Sequence, residues 1–295
     1  MHNSPLVSVY LPTRNRPVLL ERAVRSVLAQ TYPNVQLVVV DDASGSETGD
    51  MLERLVHENA SRKSMVVLRQ EHARGACVAR NLALEACEGS LATGLDDDDY
   101  FLPERIARLV AAFDPEACSF VFDGYLRETL LPGGGATRAR IPLKHAARLR
   151  DLLKRNIVGN QVLTLTSRLR EVGGFDERLP AWQDYDLWIR LVKAFGEGKP
   201  AGGISYVHTV DRSRATISGD VNKIRRAFDL FLEKHAEYAD RELLLCLRMA
   251  QACYGLDAVS VKDLGDLLRL GEPRFVLFTL YSYLTNRWSR KGAPG

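Results

Sequence analysis

Four consecutive carboxylates, Asp96-Asp97-Asp98-Asp99, close an apolar segment and are followed by Tyr100 and by Pro103-Glu104-Arg105. Adjacent acids repel one another unless a cation joins them. Carboxylate oxygens suit hard ions, and Mg²⁺ takes one or two carboxylates and completes its shell with water and substrate phosphates. An Asp-x-Asp pair such as Asp96 and Asp98, at the end of a buried strand, therefore suits a metal held against a nucleotide diphosphate. A solvated acidic turn is the plainer alternative. An EF-hand fits poorly: counting from Asp96, Phe101 stands where that loop needs Gly and Ala107 where it needs Glu.

Such acids need a frame. Short apolar or β-branched runs at residues 7–11, 37–40, 65–68, 91–95 and 120–122 are separated by helical patterns rather than hairpin turns. That alternation predicts an α/β fold with a central, mostly parallel sheet flanked by helices. After Pro17, well placed for a first helical turn, Leu19, Leu20, Ala23, Val24, Val27 and Leu28 recur at helical spacing. Open α/β sheets bind ligands beyond the carboxyl ends of their strands. The loop Pro12-Thr13-Arg14-Asn15-Arg16, the pair Asp41-Asp42 and the four acids should then share one crevice. Residues 124–140, with Gly133-Gly134-Gly135, read as a mobile loop or a hairpin tip. Beyond about residue 220 the strand patterns stop, and 224–235, 242–254, 264–270 and 274–288 read as helices.

With 295 residues, 46% hydrophobic and 26% charged, the chain has the means to bury a substantial core. A net charge of +3 is too weak to argue for nucleic acid, but it suits an anionic substrate or membrane surface. Five cysteines without C-x-x-C spacing indicate neither a disulfide framework nor a zinc knuckle. Reduced thiols, and no basic-then-apolar pattern before the first strand, lead us to expect a cytoplasmic protein. The apolar stretch 275–286 is too short to span a bilayer.

Several motifs, in order, carry a resemblance to a known family. They are the stretch from Val7 through Pro12-Thr13-Arg14-Asn15-Arg16, Val40-Asp41-Asp42-Ala43-Ser44, Ala79-Arg80-Asn81, the four acids, Gly173-Gly174-Phe175-Asp176-Glu177 and Gln183-Asp184-Tyr185-Asp186-Leu187-Trp188. Over residues 5–215 the chain closely resembles the family 2 inverting glycosyltransferases with the GT-A fold. The resemblance implies transfer of a sugar from a nucleotide diphosphate sugar, UDP- or dTDP-linked, to a hydroxyl of a glycan or glycolipid, with Mn²⁺ or Mg²⁺. It implies a role in bacterial lipopolysaccharide or surface polysaccharide synthesis. It also divides the chain into a catalytic domain over 1–219, with a donor half to about 110 and an acceptor half after it, and a helical C-terminal region over 220–295.

By the same resemblance Pro12, Thr13 and Arg14 line the nucleotide pocket, Asp41 and Asp42 meet the base or ribose, and Arg80 approaches the diphosphate. Asp96 and Asp97 belong to the donor site, Asp96, Asp98 and His208 to the metal, and Trp182 and Asp99 to the acceptor or sugar. The chain departs from the family pattern at Glu71-His72-Ala73-Arg74-Gly75, where a small or Asn-Gly-like segment is usual, and at Gln183, where Glu is common.

A nucleotide sugar carries its own leaving group, so the enzyme must chiefly supply a base for the acceptor hydroxyl. Asp184 and Asp186 compete for that role, and two residues at about 100° each place them on opposite helix faces. Asp186 lies four before Arg190, a spacing typical of a surface ion pair, whereas Asp184 shares its face with Leu187, Trp188 and Leu191. Asp184 is the expected base, with a helix cap as its plainer role. Trp182 reads either as a platform for a sugar ring or as ordinary packing, and His208 either as a metal-side ligand or as a structural histidine. The tail from Arg274 to Lys291, apolar and aromatic with a basic end, reads as an interfacial helix at the inner membrane or as a helix packed on the domain or a partner subunit. Oligomeric state stays open. A sugar-1-phosphate nucleotidyltransferase or a Rossmann dehydrogenase would need glycines that residues 12–17 lack. The remaining alternative is an inactive nucleotide-sugar or glycan-binding module.

Overall fold

The computed structural model describes residues 4–59, 64–159, 161–211, 220–253 and 260–269, together with Val276 and Leu280. β1 (Val7–Thr13) pairs in parallel with β2 (Val35–Asp41), and β2 with β3 (Met65–Arg69). On its other side β1 pairs in parallel with β4 (Leu91–Gly94). Beyond β4 the sheet becomes mixed: β8 (Leu163–Leu165) is antiparallel to both β4 and β6 (Val121–Leu130), and β9 (Lys199–Val210) is parallel to β6. The short β5 (Tyr100–Phe101) closes that edge, giving the order β3-β2-β1-β4-β8-β6-β9-β5 among the described residues.

Alternation along β1 feeds two cores. Val9 and Leu11 share one with Leu20 and Val24 of α1 (Pro17–Leu28) and Leu52 and Leu55 of α2 (Ser46–Glu58). Tyr10 belongs to the other, with Ala79 and Ala83 of α3 (Ala76–Glu85) and Leu187 and Trp188 of α7 (Gln183–Phe195). Burial on both faces is why β1 and β2 read as unbroken apolar runs. Every loop that leaves the carboxyl end of β1, β2 or β4 therefore opens on the same edge.

The glycine-rich stretch at 124–140 is a hairpin rather than a loop: β6 runs on to Leu130 and pairs with β7 (Ala136–Ile141), with Gly133, Gly134 and Gly135 all at positive φ in the tip. The C-terminal helices begin with α8 (Val221–Lys234), capped by the Asp220 carboxylate, which accepts from Asn222 N at 3.0 Å and Lys223 N at 3.2 Å. Phe228 and Phe231 of α8 join the core that holds Trp188 and Tyr185, so this helix packs on the sheet-bearing part of the chain. α9 (Arg241–Cys253) and α10 (Val261–Arg269) follow. The expected helix over 274–288 lies outside the described residues except for Val276 and Leu280. Among the described residues no helix is long and apolar enough to cross a membrane.

Candidate active site

The crevice is built from the ends of β1, β2 and β4. Asn15, at φ 54°, stitches the first two loops together: its N–H donates to Ser44 Oγ at 2.8 Å and its Oδ1 accepts from Gly45 N at 2.9 Å. Asp41 is buried, accepts from Ser44 N at 3.0 Å and lies 3.5 Å from Arg69 Nε. Asp42 is also buried and accepts from Gln70 Nε2 at 2.8 Å, Arg74 N at 2.7 Å and Gly75 N at 2.9 Å. The pair expected at the base or ribose thus also shapes the loops around that pocket, Asp42 fixing the turn into α3. Pro12 and Thr13 end β1, and Thr13 Oγ1 donates to Asp97 Oδ2 at 2.9 Å. Arg14 is exposed beside them.

The four acids alternate. Asp97 and Asp99 turn inward, 7% and 1% exposed, while Asp96 and Asp98 stay partly open. Arg80 Nη2 donates to Asp96 Oδ1 at 2.7 Å, and one nitrogen of Arg16, Nη1, serves both Asp97 at 2.9 Å and Asp98 at 2.8 Å. Burial pushes the Asp97 carboxyl up to about 6 despite Arg16, and raises Asp98 as well. The acceptor role expected for Asp99 is not supported: both its oxygens are spent inside the protein, on Tyr206 Oη at 2.7 Å and Thr209 N at 2.8 Å. Asp99 ties the acidic loop to β9.

His208 of β9 sits close enough to Asp96 and Asp98 for both to favour its cation, yet burial lowers its pKa below the ordinary value and leaves the imidazole neutral at pH 7. Two partly open carboxylates and a neutral imidazole are a donor set that fits Mn²⁺ or Mg²⁺. Among the described residues no three His, Cys, Asp or Glu side chains form a ready metal cage. The fit is therefore to an ion completing its shell with water and phosphate oxygens.

Asp184 lies in the first turn of α7, partly buried, with Asn156 Nδ2 at 3.5 Å from its Oδ2. Burial raises its carboxyl to about 6, with Arg80 pulling it down and Asp96 pushing it up, so the base candidate shares a field with the donor-side ion pair. The surface reading of Asp186 is corrected: it is fully buried, bonded by Arg190 and Lys234 at 2.8 and 2.9 Å, and 3.3 Å from His235 Nε2. Helix spacing found the Arg190 pair but could not see α8 covering it. Trp182, partly buried, packs its ring edge-on against Tyr185, Phe228 and Phe231 at the margin of the core.

Several residues here carry no functional assignment from the sequence. Arg16 stands within the quoted loop motif, where its basic character was the available signal. Gln161 accepts from Tyr10 Oη at 3.2 Å and reaches Asp96 at 3.4 Å across a gap of 65 residues, which no local pattern announces. Arg105, 1% exposed, lies over the rings of Phe101 and Tyr206 and lines a small cavity with Asp123, Tyr125, Val158, Gln161, Tyr206 and His208. Burial lowers Arg105 to about 10, so it remains a cation at neutral pH.

The chain thus sets a run of acids at the carboxyl edge of an α/β sheet, with the partly buried Asp184 in their electrostatic neighbourhood. Residues 8–168 match the family described as Glycosyl transferase family 2, and the chain belongs to that family. It is 33% identical over 244 residues to an Escherichia coli (strain K12) glycosyl transferase named for colanic acid biosynthesis, covering 82% of this chain and 85% of that one. It is 24% identical over 211 residues to an E. coli protein named UDP-Glc:alpha-D-GlcNAc-diphosphoundecaprenol beta-1,3-glucosyltransferase, covering 71% of this chain and 78% of that one. Among solved structures, S. aureus TarS 1-349 in complex with UDP superposes with TM-score 0.58 at 18% identity, covering 98% and 92% of the two chains. A Pyrobaculum calidifontis mannosyltransferase in complex with GDP-Man and Mn²⁺ gives TM-score 0.58 at 17% identity, with coverage of 96% and 88%. The fold is thereby that of the GT-A glycosyltransferases, and the chain is a glycosyltransferase.

Proposed function

We propose that the protein is a metal-dependent inverting glycosyltransferase of bacterial surface polysaccharide or lipopolysaccharide synthesis. The donor is a UDP- or dTDP-linked sugar and the acceptor a hydroxyl of a glycan or glycolipid. The observation that carries this reading is that Asp184, in the first turn of α7, lies in the electrostatic neighbourhood of the Arg80–Asp96 ion pair, which supports a base candidate near the acids. The names of the relatives support this acceptor class, one being named for colanic acid biosynthesis and another for a diphosphoundecaprenol-linked sugar.

In this reading the loop of Pro12, Thr13 and Arg14 and the acids Asp41 and Asp42 hold the nucleoside, and Arg80 meets the diphosphate. Asp96, Asp98 and His208 would hold Mn²⁺ or Mg²⁺, and the ion would supply positive charge against the departing diphosphate. Asp184 takes the proton from the acceptor hydroxyl as that oxygen attacks the anomeric carbon from the side opposite the leaving group, inverting the centre. A single carboxylate on the acceptor side suffices because the leaving group needs no protonation. Residues 1–219 form the catalytic domain. In the tail, Val276 and Leu280 pack with Leu245, Met249 and Leu267, so a lipid-linked acceptor, rather than an inserted tail helix, is what would draw the protein to the cytoplasmic face of the inner membrane.

Thermal shift and calorimetry with UDP, dTDP, GDP and CDP, with and without Mn²⁺, test the reading. One nucleotide is expected to bind in a Mn²⁺-dependent way. Binding of none by the folded protein would overturn it in favour of an inactive module.

A further inference from the structure

One helix grips the first turn of α7 on both sides of the base candidate. Trp182, two residues before Asp184, has φ 61° and ψ 23°, a left-handed conformation that a bulky residue keeps only when its surroundings over-determine it. Its indole meets Phe228 and Phe231 of α8 edge-on, at centroid separations of 6.2 and 5.8 Å. Tyr185 stacks on Phe231 at 5.0 Å. Two residues after Asp184, the buried Asp186 receives Lys234 Nζ at 2.9 Å, and the same ammonium reaches Asp176 of the preceding turn, also at 2.9 Å. The backbone closes the unit, with Asp186 N donating to Trp182 O at 2.9 Å.

We propose that α8 belongs to the catalytic apparatus, with Phe231 and Lys234 as positioning residues that clamp Trp182 and Asp186 so that the carboxylate between them faces the Arg80–Asp96 pair. The proposal rests on Asp184 being the base. Helix packing alone accounts for Phe231, because apolar burial is non-directional. It does not account for a tryptophan at positive φ where Gly would sit without strain. Nor does it account for one lysine joining two acids on separate elements beside the base. A buried acid held by two cations, Arg190 and Lys234, has a fixed place, and its neighbour at a helix start inherits that place through the backbone. Small displacements of a catalytic group are costly in rate, whereas the nucleotide pocket is built from β1, β2 and β4, and Lys234 forms its described ion pairs with Asp176 and Asp186 rather than with the acids of that pocket.

The test uses Lys234→Met, Lys234→Arg and Phe231→Leu in the full chain, with Asp184→Asn as reference. Calorimetry with UDP reads the donor pocket, turnover of UDP-glucose reads the base, and hydrogen exchange by mass spectrometry reads residues 176–187. Lys234→Met is expected to lower kcat about 10–100-fold while the KM for donor and the UDP affinity stay within about 2-fold. Exchange across 176–187 accelerates, Lys234→Arg recovers most of the rate, and Phe231→Leu gives a milder form of the same pattern. Exchange unchanged in that segment overturns the proposal whatever the donor. So does a kcat unchanged in Lys234→Met, or a loss of kcat that Lys234→Arg does not recover. Asp184→Asn separates the two claims: turnover retained there sinks the base itself, whereas turnover lost there but normal in Lys234→Met sinks only the role of α8.

Discussion

Arg80 donates to Asp96 at 2.7 Å while its guanidinium lies 5.3 Å from the centroid of the Phe175 ring. One side chain thereby joins three segments far apart in sequence: α3, the acidic run and the Gly173-Gly174-Phe175 turn. The neighbouring Asn81 completes the joint, accepting from Phe175 N at 2.8 Å and donating to Phe175 O at 2.9 Å. The Ala79-Arg80-Asn81 motif is a joint between the donor acids and the approach to α7, and its arginine is also the cation facing the proposed diphosphate.

Arg80→Met is therefore expected to act twice. Its partner Asp96 is left unpaired, and with side-chain exposures of 12% and 22% the pair is largely shielded from water. Stability should fall by about 1–3 kcal/mol, read by urea denaturation. UDP affinity in calorimetry should fall about 10-fold or more, and Arg80→Lys should recover stability better than affinity, because an ammonium keeps the charge and loses the fork. Unchanged UDP affinity would remove Arg80 from the donor site.

The raised pKa of Asp184 sets a pH dependence with a definite sign. A base must be ionised, so kcat should fall below about pH 6, with a single acid limb near the value to which burial pushes this carboxyl. The same shift affects stability in the opposite sense. Between the unfolded value of 3.8 and the folded value of about 6 the native state holds a proton that the unfolded chain has released, so stability declines as pH rises through that window. Above it the cost is fully present. Asp184→Asn should abolish transfer, preserve UDP binding, and gain about 1–3 kcal/mol of stability at pH 7.5 but little at pH 4. Equal stability of the two proteins at both pH values would mean that the carboxylate is not strained by its surroundings.

The parallel half of the sheet and the acidic run at its edge were legible because each depends on local chemistry. Strands buried on both faces show as unbroken apolar runs, and four adjacent aspartates show as themselves. What stayed hidden depends on distant segments meeting. Asp186 kept the spacing of a surface pair with Arg190, and only the docking of α8 buries it. Asp99 is indistinguishable in sequence from Asp96 and Asp98, yet the backbone turns it toward Tyr206 and Thr209. Trp182 reads equally well as a sugar platform or as core, and only the docking of α8 reveals its edge-on packing with Phe228 and Phe231. Over β6 and β7 the sequence left a mobile loop and a hairpin tip both open, because residues 136–140 of β7 are exposed and carry little apolar pattern.

Arg16 supplies a test of the open acids. Its Nη1 lies between Asp97 and Asp98, and a guanidinium there competes with any other cation for Asp98. Arg16→Ala should tighten Mn²⁺ binding to the nucleotide-free protein several-fold, read by electron paramagnetic resonance titration, and should make UDP binding more dependent on Mn²⁺. Weaker Mn²⁺ binding in the variant would show that Arg16 orders the acids more than it competes for them.

Gly94 ends β4 immediately before Leu95 and the acids, and the space for its side chain is already taken. A Cβ there would lie 2.0 Å from Gln161 Oε1 and 2.3 Å from an edge carbon of Tyr10, both well inside contact distance. Gln161 is also the residue that reaches Asp96, so the clash and the site are mechanically linked. Gly94→Ala should destabilise the fold by about 1–3 kcal/mol, the usual range for overpacking a well-packed interior. It should also lower kcat, because the Gln161 side chain must leave Asp96 to admit the methyl group. Gln161→Ala removes one of the two obstructions, so the double variant should lose less stability than the two single variants summed. Strict additivity in denaturation would mean that Tyr10 alone sets the limit and that Gly94 serves packing of the sheet without reaching the acids.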